Sequence, residues 1–301
     1  MPRMFLLGIK SKRTYQRFFR AGAFFTALWL CLALVNGLLP SADAYVLEGP
    51  HVLDLMVKRL SGAKTLRVMQ NVEIQDEDIA RQPITLSETL SYIYPDRFRS
   101  DAWYQGTNRI FIASHDQFMT IIDERVTSSK EGRFDRYKDP LLHQTRFTIL
   151  KSLLASGIDV GITTLGKTEE YTAFVVGAQY PDDSVSQLWV DKEHFLPMRL
   201  IFVEKGDGDK TERLEFVYRN WQPFEKIWYP MLIETYHNDV LVRRTRARSV
   251  MVDNDFSPQL LDISYLSGLY GNPSPDRKPA QPAEGDDVQR AIDDFRKKFD
   301  P

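Results

Sequence analysis

From Thr65 onward the apolar residues recur at every second position, and nothing else in the chain constrains its fold as strongly. Leu66, Val68, Gln70, Val72 and Ile74 alternate with Arg67, Met69, Asn71 and Glu73, the pattern of a strand with one side on a core and the other in water. The period returns in Leu86–Tyr94, Arg97–Tyr104, Arg109–Ala113 and Phe118–Asp123. After one interruption it resumes in Thr172–Ala178, Ser186–Asp191, Met198–Glu204, Arg213–Tyr218, Trp228–Tyr236 and Val240–Val252. Turn chemistry separates the runs: Tyr94-Pro95-Asp96, Gly106-Thr107-Asn108, Ser114-His115-Asp116, Lys205 to Lys210, and His237-Asn238-Asp239. About eleven strands on short turns predict a mainly β (α+β) chain, an antiparallel meander curling towards a barrel. Helical spacing occurs in Gly49–Gly62, through Val52, Leu55, Met56 and Leu60. It recurs after Asp139-Pro140 in residues 141–156, through Leu142, Phe147, Leu150, Leu153 and Leu154. Helices so few and so one-sided must bury their apolar stripe on the concave face of the sheet.

The first 44 residues read as an export segment. Arg3, Lys10, Lys12, Arg13, Arg17 and Arg20 precede an apolar run from Ala21 to Leu39, and Pro40-Ser41-Ala42-Asp43-Ala44 closes it with a small-x-small cleavage pattern. Cleavage before Tyr45 and release into the periplasm are expected. The competing reading is an uncleaved inner-membrane anchor, since roughly 19 apolar residues just span a bilayer. Bulky Leu28-Trp29-Leu30 before Cys31 does not resemble a lipoprotein acylation box. Cys31 is the chain's single cysteine, so residues 45–301 have no disulfide, thiol chemistry or cysteine-based metal site. Six of the 39 Lys and Arg and one of the 41 Asp and Glu fall in the export segment, which leaves the remainder seven charges negative. So acidic a body is a poor nucleic-acid binder, because phosphate contacts need a basic surface.

No local motif points to catalysis. His51, His115, His143, His194 and His237 are scattered without metal-ligand spacing, and there is no Gly-x-Ser-x-Gly elbow and no phosphate-cradling glycine loop. Gly206-Asp207-Gly208-Asp209 lacks the closing acidic ligand of a calcium loop and reads as an acidic hairpin tip. No metal and no cofactor is expected. The densest positive feature is Arg243-Arg244-x-Arg246-x-Arg248. Arg244, Arg246 and Arg248 would share one face of a strand, with Arg244 and Arg246 the headgroup candidates, either meeting an anionic headgroup or pairing across strands with Glu234 and other hairpin carboxylates. Asn272 to Asp286 is a Pro- and Asp-rich linker, and Val288, Ala291, Ile292, Phe295 and Phe299 mark a short terminal helix. The organisation expected is residues 1–44 for export, 45–263 for one domain, and 264–301 for linker and tail.

Two elements carry a family resemblance: Tyr94-Pro95-Asp96-Arg97-Phe98-Arg99, and Leu188-Trp189-Val190-Asp191 running to Leu196-Pro197-Met198-Arg199-Leu200. In this order, behind an export segment, they resemble the LolA/LolB-type outer-membrane lipoprotein-sorting family over about Val46 to Ile263. The resemblance implies an open antiparallel half-barrel with helical lid elements over an apolar cavity. It implies a non-enzymatic carrier of acylated lipoproteins or other lipids, with an inner-membrane ABC transporter and an outer-membrane acceptor as partners. A periplasmic lipid-sensing regulator that binds a protein partner is the alternative. The expected cavity liners are Leu86, Leu90, Tyr92, Phe98, Trp103, Ile112, Phe118, Leu150, Leu154, Trp189, Leu200, Phe202, Phe216 and Trp228. The family places a lid-clasping arginine just before the turn proline, where this chain has Tyr94, so the clasp would fall to Arg97 or Arg99.

Overall fold

The computed structural model describes residues 46–75, 83–206 and 210–271. The export segment with Cys31 and its cleavage point, the tip of the 205–210 hairpin, the linker and the terminal helix lie outside these residues. Among the described residues no helix is long and apolar enough to cross a membrane.

Helix α1 (Gly49–Leu60) comes first and buries Val52, Leu53, Met56 and Leu60. Six strands follow, β1 (Thr65–Ile74), β2 (Ile84–Ile93), β3 (Arg97–Tyr104), β4 (Thr107–Ser114), β5 (Gln117–Ile122) and β6 (Arg125–Ser128). A helical insertion comes next: a 3₁₀ segment (Arg133–Lys138), α2 (Asp139–Leu142) and α3 (Arg146–Ala155). The chain then adds β7 (Thr163–Lys167), β8 (Thr172–Val176), β9 (Gln187–Asp191), β10 (Pro197–Lys205), β11 (Thr211–Phe224), β12 (Ile227–His237) and β13 (Val240–Val252). A 3₁₀ turn (Pro258–Leu261) leads into α4 (Ile263–Tyr270).

The thirteen strands form one antiparallel sheet in the order β6-β5-β4-β3-β2-β1-β13-β12-β11-β10-β9-β8-β7. Its two ends do not pair with each other, so the half-barrel stays open. Several hairpins turn on two residues with positive φ, among them Gln105-Gly106, His115-Asp116, Asp123-Glu124 and Asn238-Asp239. That geometry matches the right-handed twist of the flanking strands. The sequence motif around Trp189 is the β9–β10 hairpin, whose turn is tied by the Asp191 carboxylate accepting from the His194 N–H at 2.6 Å.

Two strands exceed the expected eleven. β6 (Arg-Val-Thr-Ser) and β7 (Thr-Thr-Leu-Gly-Lys) are the edges of the sheet, and an edge strand needs no two-sided apolar alternation to hold its place. In β7, Gly166 is needed for close approach, because a Cβ there would stand 2.9 Å from the Trp189 ring. The single inserted helix expected over 141–156 is broken at His143-Gln144. Thr145 restarts it as a capping box, its hydroxyl accepting from the Thr148 N–H at 3.1 Å.

Strand parity sorts the two faces. On the concave side Leu66, Val68, Leu90, Tyr92, Phe98, Phe111, Phe174, Val176, Leu188, Leu200, Phe202 and Phe216 pack with Val52, Leu53, Met56, Leu142, Ile149 and Leu153 of the helices in one core. On the convex side α4 lays Leu266 over Ile110, Ile112, Met119 and Ile121. Residues 263–270 therefore pack as part of the body. Parity has a measurable consequence. Phe98→Ala is expected to lower unfolding free energy by about 3–5 kcal/mol in urea titrations, as a large buried ring leaves a cavity. Trp103→Ala, at a side chain 54% exposed, is expected to stay within about 0.5 kcal/mol.

Candidate functional site

Of the residues expected to line a cavity, Leu90, Tyr92, Phe98, Leu200, Phe202 and Phe216 are buried on the concave face among helix side chains. Leu86 faces the same way but packs in a smaller cluster with Val72, Ile74, Ile84, Ala102 and Ile122. Phe118 is half-buried at the rim and stacks on Phe111 at 6.3 Å between ring centroids. Trp228 is half-buried, with the Arg59 guanidinium 4.6 Å above its ring. Three of the expected strand residues and one helix residue face away from the hollow. Trp103, Ile112 and Trp189 point to the convex side, because each is an odd number of positions from an inward neighbour, Phe98, Phe111 and Leu188 respectively. Trp103 is largely exposed, Ile112 lies under α4, and Trp189 packs with Ala173, Val175 and Ala178. On α3 the inward residues are Ile149 and Leu153; Leu150 is half-buried against the core and Leu154 points outward.

A polar layer divides the concave face and is the main feature that apolar patterning missed. Gln70, Glu88 and Ser100 occupy inward positions between apolar neighbours. The Glu88 carboxylate accepts from Gln70 Nε2 at 2.5 Å and from the Ser100 hydroxyl. Burial pushes the Glu88 carboxyl above its ordinary range; the Ser100 and Gln70 hydrogen bonds oppose this, and the Asp135 charge adds to it. Beside this layer Arg109 of β4 makes a two-pronged bond to Asp135 of the insertion, at 3.1 and 2.5 Å, with both side chains buried. Gln144 Nε2 donates to the Leu60 carbonyl at 3.1 Å, and the Tyr218 hydroxyl donates to the Tyr137 carbonyl at 2.7 Å. The insertion is thus fastened to the sheet and to α1 from inside. A charge at an inward parity position, such as Arg109 ahead of Phe111 and Ala113, was the available signal.

Where the insertion meets the β4–β5 turn, a groove of about 860 Å³ opens. Ala113 and Phe118 of β4 and β5 line it with Leu142 and with Phe147, Ser152 and Ala155 of α3; Arg133, Arg136, Lys138 and Lys151 add positive charge, and Asp96, Asp116, Glu131, Asp139 and Glu204 negative charge. Lys138 is buried, donating to Asp139 Oδ1 at 2.8 Å and to Glu131. Burial alone would lower its pKa, but Asp139 and Glu131 outweigh it and keep the ammonium charged. Arg136 bonds Glu204 and lies 3.4 Å over the Phe202 ring. Arg133 reaches Glu212 at 2.9 Å. Burial holds His143, also on the groove, below its ordinary pKa and therefore neutral at pH 7.

The arginines expected as clasp or headgroup contacts lie elsewhere. Arg97 and Arg99 share the convex parity of β3. Arg99 donates to Asp101 at 2.6 and 2.8 Å and to the Leu260 carbonyl at 2.9 Å, fastening the C-terminal turn rather than the insertion. Tyr94 stacks on Tyr92 at 5.8 Å. Arg244 pairs with Glu234 at 3.1 Å and Arg246 with Glu73 at 2.5 Å, the cross-strand alternative.

No protein-family model matches the chain, and no curated protein matches it. Solved structures do. An outer membrane lipoprotein-sorting protein domain from Vibrio parahaemolyticus aligns with a TM-score of 0.50 at 12% identity, over 72% of this chain and 97% of that one. A LolA superfamily protein from Nitrosomonas europaea gives 0.48 at 9% identity, over 73% of this chain and all of that one. A DUF1329 family protein from Desulfovibrio piger gives 0.48 at 13%, over the same shares. The chain has the lipoprotein-sorting type of half-barrel fold, as the motifs around Tyr94 and Trp189 led us to expect.

Two measurements test the polar layer. Arg109→Met leaves Asp135 buried and unpaired, with an expected loss of about 3–5 kcal/mol in chemical denaturation. Adding Asp135→Leu to that variant is expected to restore most of it. A carboxyl raised on folding stabilises most while neutral and loses that contribution as pH climbs from its ordinary 4.5 through the folded value. The stability of Glu88→Gln relative to the native chain is therefore expected to improve between pH 4 and pH 7.

Proposed function

We propose that this protein is an exported, non-enzymatic carrier that takes up an acyl chain of a lipid or lipoprotein and moves it through the periplasm. The observation that carries this reading is the groove between the insertion and the open sheet, which shares Leu142 and Phe118 with the aromatic concave core. Its volume lies within the roughly 300–1,000 Å³ usual for small-molecule sites. Transfer of each methylene out of water is worth about 0.8 kcal/mol, so an acyl chain supplies its own driving force and no catalytic group is required. The insertion acts as the lid, with Arg109–Asp135 as the clasp in place of Arg97 or Arg99. Release then requires a partner to strain the insertion, and an ABC transporter and an outer-membrane acceptor are the partners that the resemblance implies.

Titration with a fluorescent fatty acid of varied chain length tests this. The expected result is saturable uptake that strengthens with length. Ala155→Trp, which fills the groove from an exposed helix position, is expected to weaken binding by about tenfold, or 1.4 kcal/mol. Absence of uptake at every chain length would overturn the carrier reading.

A further inference from the structure

We propose that the outer face of α3 is a docking surface for an anionic membrane. The helix is apolar on two sides. Ile149 and Leu153 enter the core and half-buried Leu150 packs against it, while Phe147 and Leu154, two turns apart at i and i+7, leave a second apolar strip outside it. Phe147 is 74% and Leu154 56% exposed, and Phe147 is the most exposed large apolar side chain among the described residues. Two cations bracket this strip. Arg146 and Lys151 are more than half exposed, bonded to Asp54 at 2.9 Å and to Asp116. Ion pairs in open solvent are weak, so lipid phosphates can replace either carboxylate. Outward apolar side chains flanked by cations are what settles a helix at the headgroup boundary. Residues 45–301 carry seven net negative charges, so a like-charged surface admits the chain only where exposed cations can exchange their carboxylate partners for lipid phosphate, as Arg146 and Lys151 can. Phe147 and Lys151 also line the groove, so docking here would set the opening against lipid. The docking itself is separate from what the groove carries.

The apolar run at 21–39 has its own affinity for bilayers, so the test must report orientation rather than total binding. We would use the full chain with Cys31→Ser and place an environment-sensitive nitrobenzoxadiazole label at Leu154→Cys. A comparison label goes at Val240→Cys, an exposed position in the β12–β13 turn. The vesicles are phosphatidylglycerol mixed with phosphatidylcholine. The expected result is a blue shift at 154, quenched by headgroup-level spin-labelled lipid, with no change at 240. Added salt should reduce the shift, because exposed charges are screened. Arg146→Glu with Lys151→Glu should abolish it while circular dichroism stays unchanged. A silent label at 154, equal responses at both labels, or a shift that survives charge reversal would overturn the proposal. So would a shift that appears without vesicles as protein concentration rises, which would assign the stripe to a second copy.

Discussion

An open sheet cannot bury its own concave face. A closed barrel fills its interior with its own strands, but thirteen strands that stop short of closure leave an apolar surface facing water. Everything else in this fold answers that constraint. α1 supplies Val52, Leu53, Met56 and Leu60 to one part of the hollow, and the insertion supplies Leu142, Ile149 and Leu153 to another. The two helical pieces cover the hollow from opposite points of the sequence, so each must be held in place. Hydrophobic contact alone is non-directional and would tolerate sliding. The bonds of Arg109 to Asp135 and of Gln144 to Leu60 are directional and fix the insertion in one position.

The convex face follows a different logic. Apolar side chains there are covered by α4 near β4 and β5, while the other half carries ion pairs laid across strands. Arg199 and Arg213 share Glu215, and Arg219 and Arg244 share Glu234. Opposite charges facing each other on neighbouring strands reward one register and penalise a slip, which would bring like charges together. The two shared carboxylates are themselves buried, so removing their arginines would leave a poorly solvated charge, and the pairs hold the alignment firmly. This is where the arginines that look like ligand contacts in the sequence are spent.

Strand positions, the first helix and the turn sites were legible in the chain because they follow from local periodicity and turn chemistry. The unread parts have physical reasons. β6 and β7 sit at edges and carry too few apolar residues to alternate. Phe98 and Trp103 belong to one strand at opposite parity, so both could not face inward, and only the register of β3 against β2 decides which does. The groove is built from the insertion and β4–β5, elements whose juxtaposition depends on tertiary contacts. Glu88 and Arg109 break the apolar pattern at inward positions, and that break, readable in Leu86-x-Glu88-x-Leu90, was a marker of the polar layer.

Strand order also determines how the molecule can assemble. β1 to β6 form one local meander and β7 to β13 another, with sequence neighbours paired throughout, and the two halves meet in the sheet through the pairing of β1 with β13. Leu66 pairs with Val252 there, across most of the described chain. Closing so long a loop costs entropy that no nearby contact offsets, so this seam is expected to form after the local hairpins. Until the last strand is made, β1 waits with one edge unpaired and its apolar side uncovered. A chain of this kind is therefore most exposed to misassociation in the interval before β13 reaches β1.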